Sequence, residues 1–349
     1  MGKRLTIAGC ISALFFVIVL FSYAKLNGPE NNAVAINVKV VKNAAPDTKS
    51  SKPVLALDTA LYKSNLLHLV HGKASSKWPV IAPLPLPGAL LPFNRIVAYY
   101  GNFYSTGMGI LGALPPEEML TRLQDEAKTW QHTDPQTPVI PAIHYIAVSA
   151  QRLPGPYKKY RLRMPFTQIV KALALATKIN AIVFLDIQLG HSTIQEELPV
   201  LEPYLSMPHV HLGIDPEFAM KGNAIPSSVI GSLDATQINY ASEYLAQLVN
   251  KYNLPPKILV IHRFTKEMVT NYKQIITRPE VQIVMNMDGF GFPAKKISSY
   301  KTAIANEPVQ FTGFKIFYKN DLLTPGYKAL MLPEEILKLY PSPIYIQYQ

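Results

Sequence analysis

The 349-residue chain has almost no cysteine. Cys10 is the only one, which excludes an intrachain disulfide framework and leaves a large apolar core as the source of stability. An oxidising compartment stays open, because a core of this size needs no covalent staples. No Gly-rich phosphate fingerprint follows the first apolar run, which argues against a dinucleotide-binding open sheet. No nucleophile elbow is present for a Ser-His-Asp hydrolase. Charge of one sign is also scarce in the body of the sequence. The net charge is +11, but residues 1–77 carry ten Lys/Arg against three acids, and residues 78–349 carry 24 against 20. No face or helix concentrates the excess as phosphate tracking requires, so no nucleic-acid partner is expected.

One long hydrophobic run is there. MGKR precedes LTIAGCISALFFVIVLFSYA, residues 5–24, without a single charge. At ~1.5 Å rise per residue this is enough to cross ~30 Å of hydrocarbon. Lys3 and Arg4 hold the amino terminus on the cytoplasmic side. The pattern predicts an uncleaved, single-pass anchor over 1–24 in a bacterial inner membrane. The remaining chain then faces the periplasm or the cell exterior. Ile7-Ala8-Gly9-Cys10 resembles a lipobox, but only Leu5–Gly9 separate Cys10 from the charges, and the apolar run continues past it. A cleaved signal peptide is a further alternative. Met1-Gly2 with Thr6 fits a myristoylation pattern, read here as coincidence.

Residues 25–90 read as a linker or stalk, rich in Asn, Ala, Lys, Ser and Pro. Within it, DTALYKSNLLHLV (58–70) has helical spacing and is expected to dock on the main domain. His68 and His71 on it are read as surface histidines.

From residue 91 to 349, strand-length apolar runs alternate with helical patterns. The strands are predicted at 95–103, 139–148, 181–190, 210–218, 257–264, 281–290, 311–318 and 344–349. Helices are predicted at 116–132, 166–180, 194–206, 235–253, 266–277, 294–305 and 333–340. Such alternation implies parallel strands joined by crossover helices. Eight of them predict an α/β fold, a (β/α)8 TIM-like barrel lacking a final helix, with a stalk segment covering the last strand. An open doubly wound sheet is the alternative.

In such barrels chemistry sits at the C-terminal strand ends. The acids there are Asp186, Asp215, Glu217 and Asp288. On an extended strand Asp215 and Glu217 would share a face. Glycosidic cleavage needs one protonated carboxyl for the leaving group and a second carboxylate as nucleophile or base. Glu217 is the candidate acid, and Asp186 or Asp288 the partner. The candidate substrate-binding residues are Tyr100, Asn102, His144, Tyr145, Gln188, His262, Lys315 and Tyr318. Tyr100, Phe103, Tyr145, Phe218, Phe290 and Tyr318 offer aromatic faces to sugar rings. No cofactor is expected. A metal held by His262, Asp186, Asp215 and Asp288 is a weaker reading, because closely spaced ligand pairs are missing. His209 and His211 have such spacing but start a strand, at the wrong barrel end. Arg152, Lys158, Lys159, Arg161 and Arg163 form a basic lip suited to an anionic polymer.

Eight motifs recur here in a familiar order: GMGILG (107–112), PVIPAI (138–143), FLDIQLGHS (184–192), GIDPEF (213–218), GSLDATQIN (231–239), VIHRFTKEMVTN (260–271), MDGFG (287–291) and FYKNDLLTPG (317–326). They resemble a little-characterised group of secreted or membrane-attached bacterial TIM-barrel proteins, often labelled hypothetical or lipoprotein-like. The chain is more loosely similar to glycoside hydrolase barrels, many of which place their acid at strand four, as Glu217 stands. Their common nucleophile lies at strand seven, where this chain has Lys315. The expected function is a glycosidase-like hydrolase acting on an envelope polysaccharide or glycoconjugate. The alternative is a non-catalytic, membrane-anchored module that binds glycans or a protein.

Overall fold

The computed structural model describes residues 56–155 and 157–349. The anchor expected over 1–24 and the linker up to residue 55 lie outside them. Among the described residues no helix is long and apolar enough to cross a membrane.

Eight strands form the core: β1 (Arg95–Gly101), β2 (Val139–Ala150), β3 (Ile182–Ile187), β4 (Val210–Ile214), β5 (Lys257–Arg263), β6 (Val281–Met287), β7 (Phe311–Ile316) and β8 (Tyr345–Tyr348). Each pairs in parallel with its sequence neighbours, and β1 closes on β8 through Ile96–Tyr345 to Tyr99–Tyr348. The result is a closed parallel barrel, as the alternation predicted. Its strands are near-continuous apolar runs because both faces are buried. Pleat alternation divides them. Ile96, Ala98, Phe184, Ile258, Val260 and Val284 fill the lumen, and Val97, Tyr99, Val183, Leu259 and Ile283 meet the helices.

The helical layer begins with α1 (Thr59–Leu69) and continues with α2 (Pro116–Thr133), α3 (Phe166–Lys178), α4 (Ile194–Leu205), α5 (Ala235–Tyr252), α6 (Pro293–Ser299) and α7 (Pro333–Leu337). Local chemistry sets their starts. Pro116 takes the first turn of α2 with Glu117 and Glu118 behind it. Asp234 and Gln237 make a reciprocal capping box for α5. The helix expected over 266–277 is absent. Val269–Thr270 instead pairs with Leu233–Asp234, and Thr270 and Asn271 both donate to Asp234 Oδ2. Side-chain bonding of this kind competes with a helical ladder, and Asn271 is left-handed at φ 57°.

The linker expected over 25–90 needs correction from residue 59 onward. Residues 59–94 wrap the N-terminal end of the barrel and close it. Leu91 is fully buried and joins the lumen cluster with Leu69. Gln282 at the start of β6 accepts from the Leu90 and Leu91 amides and donates back to the Leu91 carbonyl. Trp78 Nε1 donates to the Ala305 carbonyl at 2.7 Å. His68 contacts both oxygens of Asp134 at 3.1 Å, and that carboxylate also pairs with buried Arg95. His68 is therefore a tether and not a free surface histidine. The outer face of β8 is covered by α2 and α7, not by α1: Trp130 Nε1 donates to Tyr348 Oη at 2.9 Å, and Ile336 packs in the same cluster.

If Leu91 plugs the lumen, Leu91→Ala leaves a cavity and lowers the unfolding free energy by ~2–5 kcal/mol. Ile81→Ala, at a fully exposed side chain, stays within ~0.5 kcal/mol. Equilibrium denaturation of both variants measures the difference.

Candidate active site

A ring of polar side chains lies above the apolar lumen, at the C-terminal strand ends. Asp186 on β3 is its centre and has no exposed surface. Tyr100 Oη on β1 donates to Asp186 Oδ2 at 2.9 Å. His144 Nε2 on β2 lies 3.2 Å from Asp186 Oδ1, and His262 Nε2 on β5 lies 3.3 Å from the same atom. His262 Nδ1 approaches Asp288 Oδ2 at 2.8 Å, and Lys315 Nζ on β7 reaches Asp288 Oδ1 at 2.9 Å. Lys315 Nζ also sits 3.8 Å from the centre of the Tyr100 ring. Tyr345 Oη and Gln347 Nε2 on β8 hold His144 Nδ1 at 2.6 and 3.1 Å.

These contacts fix the charges. Burial pushes Asp186 and Asp288 up, but His262 and His144 beside the first, and Lys315 and His262 beside the second, more than offset it and hold both below the usual carboxylate range. Burial disfavours an imidazolium at His262, yet the two aspartates outweigh it and raise its pKa to about 10. His144 is lowered to about 4 by burial, which its contact with Asp186 only partly opposes. Asp288 and Lys315 therefore form a pair, and His262 bridges two carboxylates.

The strand-end acids after β4 behave differently. The strand stops at Ile214, and Pro216–Phe218 is a single 3-10 turn. Asp215 Oδ1 caps that turn by accepting from the Glu217 amide at 3.0 Å. A capped turn thus brings Asp215 and Glu217 together, where strand pleating was expected to do so. Glu217 is half-buried, and its carboxyl has no hydrogen bond or ion pair among the described residues. Burial, then repulsion from Asp288, raises its pKa to about 7 against the pull of Lys315 and His262. Asp215 is pushed up well above its ordinary value, by burial and by its acidic neighbours, with His262 opposing.

Of the predicted substrate-binding residues, Tyr100, His144, His262 and Lys315 join this ring. Gln188 sits beside it, donating to Tyr100 Oη at 3.4 Å. Three do not join. Tyr145 follows lumen-facing His144 and so points into the helix layer, stacked on Phe103. Asn102 Nδ2 bonds Tyr145 Oη and the Ile146 carbonyl. Tyr318 donates to Glu126 and stacks on Tyr348 on the outer side. The basic lip is also largely neutralised. Lys159 pairs with Glu196, and Arg161 and Arg163 share Glu197. Only Arg152 and Lys158 stand exposed without an ion pair among the described residues. Lys158 helps line an open cleft of about 420 Å³ with Tyr157, Lys159, Tyr160 and His191. His211 is structural as expected, accepting from the Ile258 amide at 3.0 Å.

Tyr345 was missed, as were two glycines. A Cβ on Gly213 would lie 2.3 Å from both Asp186 Oδ1 and His144 Nε2, and one on Gly313 would lie 2.6 Å from Asn286 Oδ1. Glycine inside a strand signals a close approach, which here makes room for the polar ring. The group best placed to ligate a metal is His144, Asp186 and His262, whose donor atoms all lie within 4.8 Å of one another. That set differs from the one expected, replacing Asp215 and Asp288 with His144.

Comparison with solved structures finds similarity to a Bacillus subtilis mannanase, at 12% identity and TM-score 0.36, over 84% of this chain and 86% of that one. A likeness so distant carries no chemistry across. No family model and no curated protein matches the sequence.

Two outcomes follow from the ring. Gly213→Ala displaces Asp186 or His144, and chemical denaturation then shows a loss of ~1–3 kcal/mol or more from overpacking. The raised Glu217 pKa means the folded state holds its proton longer than the unfolded chain does. That contribution is complete below about pH 4.5 and is lost as pH rises through about 7. Melting curves of Glu217→Gln therefore fall off less than those of the wild type between pH 5 and 8.

Proposed function

We propose that the protein is a glycosidase-like hydrolase acting on an envelope polysaccharide or glycoconjugate, with Glu217 as the acid and Asp288 as its ionised partner. One observation supports this reading above all. At the mouth of the barrel a carboxyl without a partner among the described residues, Glu217, stands near a carboxylate, Asp288, that two cations keep ionised. Two carboxyls whose environments push their affinities for protons apart are what acid-assisted glycosidic cleavage requires. Glu217 protonates the leaving oxygen. Asp288 attacks the sugar directly or activates water.

The other two acids take supporting roles. Asp215 positions Glu217 through its backbone amide. Asp186 positions His262, which in turn polarises Asp288. Phe290, nearly half exposed on the loop after β6, offers a stacking face at the rim. The cleft with Tyr157, Tyr160 and Lys158 extends the same face. In this proposal the run over residues 5–24 anchors the chain in the inner membrane, and the barrel faces the periplasm or the exterior.

The non-catalytic reading has its own supporting observation: Asp288 is only 9% exposed, which leaves a substrate little access to it. Release of reducing ends from envelope polysaccharides separates the two. Glu217→Gln and Asp288→Asn, both folded by circular dichroism, are expected to lose turnover by ~100-fold or more, the scale of a general acid. The wild-type rate falls as pH rises through about 7, where Glu217 loses its proton. Oligosaccharide binding that persists in wild type and both variants, with no turnover in any, favours the binding module.

A further inference from the structure

We propose that His144, Asp186 and His262 form a binding site for one divalent transition-metal cation, at the floor of the mouth. The two Nε2 atoms lie 3.2 and 3.3 Å from Asp186 Oδ1. Donors held ~2.1 Å from one ion are ~3.0 Å apart at right angles and ~3.4 Å apart at tetrahedral angles. Both separations fall in that interval. Two imidazoles and one carboxylate are a set that suits zinc, iron and related cations, whereas calcium and magnesium prefer oxygen ligands throughout.

The alternative is that the three groups simply bond one another. Alignment argues against it. His144 makes a directed contact with Asp186 Oδ1, but His262 does not: both of its ring nitrogens are buried and lack an aligned hydrogen-bond partner among the described residues, despite their short distances to carboxylate oxygens. Ligands aim at a common centre and not at each other, which leaves an Nε2 close to its neighbour's oxygen and out of line with it.

The far sides of two of the ligands are also held. Tyr345 Oη lies against His144 Nδ1, and Tyr100 Oη donates to Asp186 Oδ2. Partners of this kind orient metal ligands and are expected of a built site. Gly213 adds the space: any side chain there would strike Asp186 Oδ1 and His144 Nε2. Asp215 and Glu217 lie on the turn after β4.

The inference does not rest on the carboxyl chemistry proposed above: a cation at His262 Nε2 takes the place of the proton that otherwise charges the ring, and Nδ1 still faces Asp288. The test keeps the two apart. Full-length protein is stripped with chelator, then titrated with cobalt(II) and with zinc(II) in the absence of substrate. One cobalt(II) per chain is expected, with visible d–d bands of low-symmetry imidazole and carboxylate coordination. Tyr345→Phe weakens binding by ~10–100-fold, the usual effect of losing an orienting partner. His262→Gln and Asp186→Asn weaken it further. Glu217→Gln keeps the cation while losing turnover. The proposal is overturned if folded wild-type protein takes up neither cation at hundred-micromolar concentration. It is overturned equally if His262→Gln and Asp186→Asn bind as the wild type does. Should those two variants fail to fold, the wild-type spectrum decides, and its absence counts against the site.

Discussion

Asp186 is a carboxylate with no contact with water, and donors from three other strands converge on it. Tyr100 from β1, His144 from β2 and His262 from β5 reach its two oxygens. A buried charge of this kind is tolerable only when its partners are already in place. The remaining geometry follows from that demand. Gly213 and Gly313 give up their side chains to make room. Tyr345 and Gln347 on the closing strand fix the orientation of His144. His262, drawn toward Asp186, meets Asp288 with its other nitrogen, and Asp288 holds Lys315. A closed barrel supplies these donors from every side, which an open sheet does not.

The barrel itself was readable because parallel strands buried on both faces leave long apolar runs between helical patterns. The lumen face was harder to read. His144 and Tyr145 are adjacent on β2, as are Tyr99 and Tyr100 on β1, and only one of each pair faces inward. Alternation from a known lumen residue, such as Ala98 or Ala142, assigns them. Tyr145 is aromatic, as a sugar-stacking residue would be, but the pleat turns it outward; Tyr318 lies past the end of β7 and meets Glu126 and Tyr348. The missing helix over 266–277 has a similar lesson. Its apolar spacing was adequate, but Thr270 and Asn271 found a better partner in Asp234.

Charge was the least legible property. The basic lip looked open in the sequence because its acids, Glu196 and Glu197, stand more than thirty residues away, on α4. Conversely, residues 25–90, apart from the 58–70 helix expected to dock, read as a linker because they are rich in Asn, Ala, Lys, Ser and Pro. Leu91 and Trp78 instead bind residues 59–94 to the barrel through buried contacts that no periodicity announces. The glycines were legible in principle, since glycine weakens a strand interior unless something must come close. Gly213 and Gly313 pointed directly at the polar ring.

The central claim is that Glu217 keeps its proton up to about pH 7 beside an Asp288 that is ionised. Carbon-13 labelling of glutamate and aspartate side chains, with the carboxyl shifts followed across a pH titration, tests it most directly. The account predicts that the Glu217 carboxyl titrates near 7 while Asp288 stays ionised throughout the neutral range. Titration of both groups together near the ordinary carboxylate value of ~4 would contradict it.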